Sequence, residues 1–273
     1  MFIGAHTSIA GGFDKGVEKI AKMGGSALMT FASSPRSLKF QHPKPAILEK
    51  YAEARTKYAI KSHFFHAPYL INLASDTKTN LRTGLECLIS YQQLAGEMEV
   101  MGSILHIGSH KGVGLPAKID QVVRALNEAL DSTPKGTKLF LENAAGQSGT
   151  IGATFEELAQ IVDRLGDKSK IGICLDTQHA FASGYPLETV LDKFNKAIGI
   201  KYLNVVHFND SKTEFDSHVD RHDNLGKGKI GKETLKNFVN DKRLVNIPLI
   251  LEVPGAGDGP RKQDIDYLKK LIV

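Results

Sequence analysis

Residues 218–231, HVDRHDNLGKGKIG, decide between two folds. Gly226, Gly228 and Gly231 carry the G-x-G-x-x-G spacing of a dinucleotide-binding turn, which belongs to a doubly wound open sheet. Such a turn needs a buried strand directly before its first glycine. Here a charged loop precedes Gly226, and the apolar run upstream ends near Asp210. The glycines therefore read as bends leading a polar loop into the next helix. The polar half has its own content. Asp220 and His222 occupy alternate positions of an extended segment, which puts both side chains on one side, as a shared metal ion requires.

Outward from this stretch, short apolar runs alternate with longer amphipathic ones along the whole chain. Strands are expected at 2–6, 26–32, 60–67, 103–108, 138–143, 171–176, 201–210 and 247–253. They are nearly continuously hydrophobic, as strands covered on both faces must be. Helices are expected near 12–24, 45–58, 77–100, 118–131, 154–165, 186–198, 231–241 and 262–272, with Thr154 and Glu157 forming a capping box before the fifth. Eight strand–helix pairs without a linker predict an α/β fold, a (β/α)8 TIM barrel over residues 1–273 as a single domain. Its active site would lie at the C-terminal face of the strands.

The composition is that of an ordinary soluble protein, 41% hydrophobic and 24% charged. No run of eighteen apolar residues marks a membrane span, and MFIGAHTS lacks the basic and apolar regions of a secretory signal. The expected place is the cytoplasm, at the nucleoid if the protein binds DNA. A net charge of +5 suits a polyanionic partner without requiring one. Two cysteines are too few for a disulfide framework or a cysteine zinc site, so a metal would be held by nitrogen and oxygen. Without Trp, stacking on bases would fall to Tyr, Phe or Arg.

Six expected strand ends carry a metal-competent side chain: His66, His106, Glu142, Asp176, His207 and Glu252. The loops add His179, Asp220 and His222. Singly, each histidine could be a hydrogen-bonded core residue and each acid a helix cap. Together they point into one mouth, where their charges would repel without cations between them. Imidazole with carboxylate and no thiolate suits zinc, manganese or iron rather than calcium. Nine ligands with one bridging carboxylate would serve two or three ions, an arrangement typical of phosphoester hydrolysis.

The chain resembles the endonuclease IV type of apurinic/apyrimidinic (AP) endonuclease. The resemblance rests on GAHTSIAGG (4–12), HAPYLINLAS (66–75), LHIGSH (105–110), LENAAGQ (141–147), LDTQHAFASGY (175–185), HFNDSK (207–212), VDRHDNLGKGKIG (219–231) and LILEVPG (249–255), in order through nearly the whole chain. It implies three zinc ions: one on His66, His106 and Glu142; one on Glu142, Asp176, His207 and Glu252; one on His179, Asp220 and His222. It further implies hydrolysis of the phosphodiester 5′ to an abasic site in duplex DNA, with trimming of blocked 3′ ends. Hydroxide between the zinc ions would attack phosphorus, with Glu142 or Asp176 orienting the water. An abasic sugar leaves the stack at little cost, so a pocket can select it. Side chains corresponding to those inserted into DNA are Arg36, Tyr69 and Leu70, with Leu38 where relatives often carry an aromatic. Arg221 would meet a phosphate or pair with Asp223. The expected protein is a monomer.

Five histidines stay outside the ligand set. His6 would hydrogen-bond a ligand, His42 would lie on the surface, and His63 would face the helices. His110 would contact a phosphate or lie on the surface, and His218 has no assignment. A divalent-metal sugar isomerase or epimerase is the rival enzyme. It would use Glu142, Asp176, His207 and Glu252 but has no use for the remaining five ligands. A catalytically silent DNA-damage binder is the rival of another class.

Overall fold

In the computed structural model, which describes residues 1–255 and 259–273, eight parallel strands close into a barrel. The first half runs β1 (Ile3–His6), α1 (Phe13–Met23), β2 (Ala27–Thr30), α2 (Pro45–Lys57), β3 (Ser62–His66), α3 (Lys78–Glu97), β4 (Gly102–Leu105) and α4 (Ile119–Asp131). The second half continues with β5 (Lys138–Glu142), α5 (Phe155–Arg164), β6 (Ile171–Asp176), α6 (Thr177–Ala182), α7 (Leu187–Ala197) and β7 (Leu203–His207). A two-stranded hairpin, β8 (Asp210–Ser211) with β9 (His222–Asp223), precedes α8 (Lys232–Val239), β10 (Leu249–Leu251) and α9 (Lys262–Leu271). Each barrel strand pairs with its sequence neighbours, and β1 closes on β10 through Ile3↔Leu249, Gly4↔Ile250 and Ala5↔Leu251. The open doubly wound sheet is thereby excluded.

The strand alternation splits the core into two compartments. Ala27, Met29, Phe64, Ile104, Phe140, Cys174, Val205 and Ile250 pack inside the barrel. Their neighbours along the strands, such as Leu28, Phe65, Leu105, Leu141, Leu175, Val206 and Leu251, pack outward against the helices. Burying each such side chain contributes roughly 1.5–3 kcal/mol. Because side chains repeat with period two, the residues two past Phe64, Ile104, Phe140, Cys174, Val205 and Ile250 also point inward. Those positions are His66, His106, Glu142, Asp176, His207 and Glu252. The apolar layer is the floor, and the metal-competent side chains form the layer above it.

His63 stands on the outward side of β3, as the alternation predicts. Its ring bonds Thr30 Oγ1 at 3.0 Å and the Tyr51 hydroxyl of α2 at 2.8 Å. The expected helices all form, each within a few residues of its predicted ends. β4 stops at Leu105 and β10 at Leu251, so His106 and Glu252 sit one residue beyond the ladder. Thr154 caps α5 by accepting the Glu157 N–H at 3.2 Å. The Glu157 carboxylate reaches back to the N–H groups of Gly152 and Ala153, two and one residues before the Thr154 cap expected from the sequence. Besides short 3-10 turns, α6 and the β8–β9 hairpin go beyond the predicted set, and both carry ligand candidates.

Candidate metal centre

Eight of the nine predicted ligands gather in adjoining groups above the barrel floor, and Asp220 stands at their border. Glu142, fully buried at the end of β5, is the hub of these groups. Its Oε1 accepts from His207 Nδ1 at 2.8 Å, and its Oε2 lies 3.4 Å from His66 Nε2 and 3.3 Å from His106 Nε2. His207 Nδ1 also meets Glu252 Oε2 at 2.9 Å. Asp176 ends β6 and caps α6: its Oδ1 accepts the His179 N–H at 2.8 Å. One helical turn thus brings His179 back over the mouth, with Nδ1 2.9 Å from the Asn143 carbonyl. Asp220 Oδ2 lies 3.3 Å from His179 Nε2, its Oδ1 3.7 Å from His222 Nε2, and His222 Nε2 3.5 Å from Asp176 Oδ2.

The donor atoms fall into compact groups, each within 4.8 Å: His66 with His106 and Glu142; Glu142 with Asp176, His207 and Glu252; Asp176 with His179 and His222. Asp220, half exposed, borders the last group instead of completing it. A fourth group joins Cys174 to Glu142 and His207, which brings a thiol to the underside of the centre. Nothing in the sequence spacing marked that thiol. Burial pushes Cys174 up to about 12, so it is neutral there.

These residues fit bound cations. Glu142 Oε2 and the Nε2 atoms of His179 and His222 are buried at the mouth without a hydrogen-bond partner. Each such orphan costs about 1–3 kcal/mol unless something pairs with it. The electrostatics agree. Burial opposes charge on His179, yet Asp176, Asp220 and Glu142 outweigh it and raise that ring to about 10. Burial likewise opposes charge on His207, which Glu252 and Glu142 help to lift well above the usual histidine range. Glu142 and Glu252 are held well below the carboxylate range against burial, by His106 and His207 on the first and His207 on the second. Burial opposes charge on Asp220 too, while His179 holds it down at about 2. The cage draws positive charge into itself.

A second set of residues holds the ligands in place, and its two asparagines were missed in the sequence. Asn143 accepts the Asp176 N–H at 2.7 Å and donates to the Asp176 carbonyl. Asn209 donates to Asp176 Oδ2 at 2.7 Å and accepts the Glu252 N–H at 2.8 Å. His6 Nδ1 lies 3.5 Å from Glu252 Oε1, as expected for a ligand's neighbour. The only signal of Asn143 and Asn209 was position, inside LENAAGQ and HFNDSK.

The loops expected to meet DNA flank the centre. Arg36 lines a cleft of about 830 Å³ with His6, Phe31, His222 and Glu252. Tyr69 lines a hollow of about 580 Å³ with His106, Gln147, His179 and Asp220. Tyr69 and Leu70 are exposed, at 60% and 45%. Leu38 is partly buried against the core. Arg221 donates to the Asp220 carbonyl at 2.9 Å, and among the described residues it forms no pair with Asp223. His42 is an exposed partner of Glu97, whereas His110 accepts the N–H groups of Gly112 and Gly114 and so orders its own loop. His218 packs on the Ala145 carbonyl and Asp216. Among the described residues no helix is long and apolar enough to cross a membrane.

With this geometry in view, the chain can be set beside known proteins. The AP endonuclease 2 family model, described as a xylose isomerase-like TIM barrel, matches residues 17–271. Probable endonuclease 4 of Thermosipho africanus is 37% identical over 278 residues, covering 99% of this chain and 98% of the relative. Probable endonuclease 4 of Campylobacter concisus is 36% identical over 92% of each chain. Among solved structures, endonuclease IV from Thermus thermophilus superposes with a TM-score of 0.89 at 32% identity, covering 99% of this chain and 98% of that one. A D-tagatose 3-epimerase-like protein superposes with a TM-score of 0.77 at 22% identity, which speaks to the shared fold alone.

Proposed function

The chain belongs to the endonuclease IV-type AP endonuclease family, and from that membership and the metal centre we propose that it hydrolyses duplex DNA 5′ to abasic sites. The products are a 3′-hydroxyl and a 5′-deoxyribose phosphate, and the same centre trims blocked 3′ ends. The observation that carries this reading is the gathering of eight candidate ligands in compact groups at one mouth, with Asp220 at their border and three buried donor atoms facing the mouth without partners. A sugar epimerase on this fold needs only the group of Glu142, Asp176, His207 and Glu252. The additional cluster of His66, His106, His179, Asp220 and His222 favours the nuclease.

Three zinc ions would be held by His66, His106 and Glu142; by Glu142, Asp176, His207 and Glu252; and by His179, Asp220 and His222. When bound they supply positive charge against the phosphoryl oxygens and make water acidic enough to ionise near neutral pH. Glu142, with Oε1 against His207 and Oε2 against His66 and His106, stands between the two groups and would orient the attacking water there. Asp176 has Oδ1 fixed by the α6 cap and Oδ2 by Asn209, so its role is to hold geometry. Tyr69 and Leu70 fill the gap left in the duplex, where their exposed apolar surface leaves water. Arg36 enters the duplex beside them, and Arg221 meets a phosphate. The protein works as a monomer with residues 1–273 in one domain, at the nucleoid within the cytoplasm.

A paired turnover assay tests the reading. The zinc-loaded protein is given a duplex with a tetrahydrofuran abasic analogue and, separately, a ketose. Cleavage of the duplex with the ketose unchanged is the expected result. An intact duplex with an epimerised ketose would overturn it.

A further inference from the structure

The glycine spacing at 226–231 does enclose an anion, but one that the protein supplies itself. Asp210, the first residue of β8, is fully buried. Its Oδ1 accepts the N–H groups of Ser211 at 2.8 Å and Ile230 at 3.0 Å. Its Oδ2 accepts those of Gly226 at 2.9 Å and Gly228 at 3.0 Å. Backbone N–H groups of the alternate residues 226, 228 and 230, with that of Ser211, thus surround a carboxylate much as backbone amides surround a phosphate. Gly226 takes a left-handed φ of 74°. At Gly228 a Cβ would stand 2.4 Å from the Ser211 carbonyl oxygen and 2.5 Å from Asp210 Oδ1, so a side chain would force the wrap open.

The wrap closes the base of the segment that carries two metal ligands. β8 pairs with β9 through Asp210↔Asp223 and Ser211↔His222, and Ser211 O accepts the Lys229 N–H at 2.7 Å. On the far side Gln178 of α6 donates to the Val219 carbonyl at 3.0 Å. Asp220 and His222 lie between these two holds, facing His179. We propose that Asp210 is a positioning residue: its carboxylate clamps the 226–230 backbone and so keeps Asp220 and His222 directed at His179. The proposal rests on the reading of those three residues as a zinc set.

Asp210→Asn tests it with almost no change of shape. Each carboxylate oxygen already holds two N–H donors, so an amide nitrogen would confront donors in either orientation. Zinc per chain is followed during chelator titration of wild type and D210N, with hydrogen exchange of the 219–230 amides read in parallel. The expected result is selective loss of one zinc, its affinity reduced by about 10- to 100-fold, the range for removing a ligand's support. The other two ions stay as in wild type, and exchange quickens in 219–230 but not in the barrel strands. If D210N keeps all three ions with wild-type affinity, the clamp is overturned while the zinc reading stands. A wild-type count below three overturns the zinc reading, and the clamp's role with it. Should D210N not fold, metal-free wild type decides. Gly226, Gly228 and Ile230 amides protected like strand amides support the clamp, and exchange at free-loop rates refutes it.

Discussion

Glu142 touches four imidazoles, those of His66, His106, His207 and His179 at 3.5 Å, and is wholly buried. In the proposed reading it would serve both the His66–His106 group and the Asp176–His207–Glu252 group and would orient water. Glu142→Gln keeps its size and removes its charge. Single-turnover incision should fall by roughly 1000-fold or more, about 4 kcal/mol of transition-state stabilisation, while DNA binding changes little. Normal cutting by that variant would remove Glu142 from the mechanism. Glu142 was legible because strand alternation and strand end coincide at one acidic residue. Asn143 and Asn209 were not. An amide's task depends on partners more than thirty residues away, here Asp176 and Glu252, and no periodicity encodes that. Cys174 was hidden for another reason: it repeats the apolar pattern of β6, and only its packing beneath Glu142 gives it chemical neighbours.

Elements whose hydrophobic period is long were read correctly, and short ones were not. α6 spans six residues directly after β6, too few to show a helical stripe, so LDTQHAFASGY reads as strand and loop. Its turn is nevertheless what places His179, through the Asp176 cap. The β8–β9 hairpin has two residues per strand, and charged, glycine-rich sequence conceals it. Two predictions belong here. Thr154→Ala removes the N-cap of α5 and should cost about 1 kcal/mol in urea unfolding with activity retained; no change in stability would mean the cap contributes nothing. The second concerns the β3–α2 contact. Burial pushes His63 down to about 3, so the fold holds it neutral while the unfolded chain protonates it near 6.5. Its contribution is therefore present above about pH 6.5 and is lost as pH falls from there towards 3. Across that window the wild type should lose up to about 1.4 kcal/mol per pH unit more than His63→Gln. Parallel slopes for the two proteins would contradict the assignment.

On the scale of the molecule, the barrel gathers Glu142, Asp176, Asp220 and Glu252 with five imidazoles at one mouth, charges that a metal-free fold must compensate by holding protons. Cations bound there should stabilise the whole barrel. At a free-ion concentration 100 times the Kd, each site contributes about 2.7 kcal/mol. Chelation should accordingly lower Tm by roughly 5–10 °C per ion lost, reversed by added zinc, as read by calorimetry. An unchanged Tm would leave the centre without resident metal. The central claim is hydrolysis at one side of an abasic site, and mapping the cut tests it most directly. A duplex bearing a single tetrahydrofuran residue is incubated with the zinc-loaded protein, and the ends are resolved at single-nucleotide resolution. The expected result is a break on the 5′ side, whose 3′-hydroxyl a polymerase extends at once. A break on the 3′ side, or an end that cannot be extended, would contradict the account.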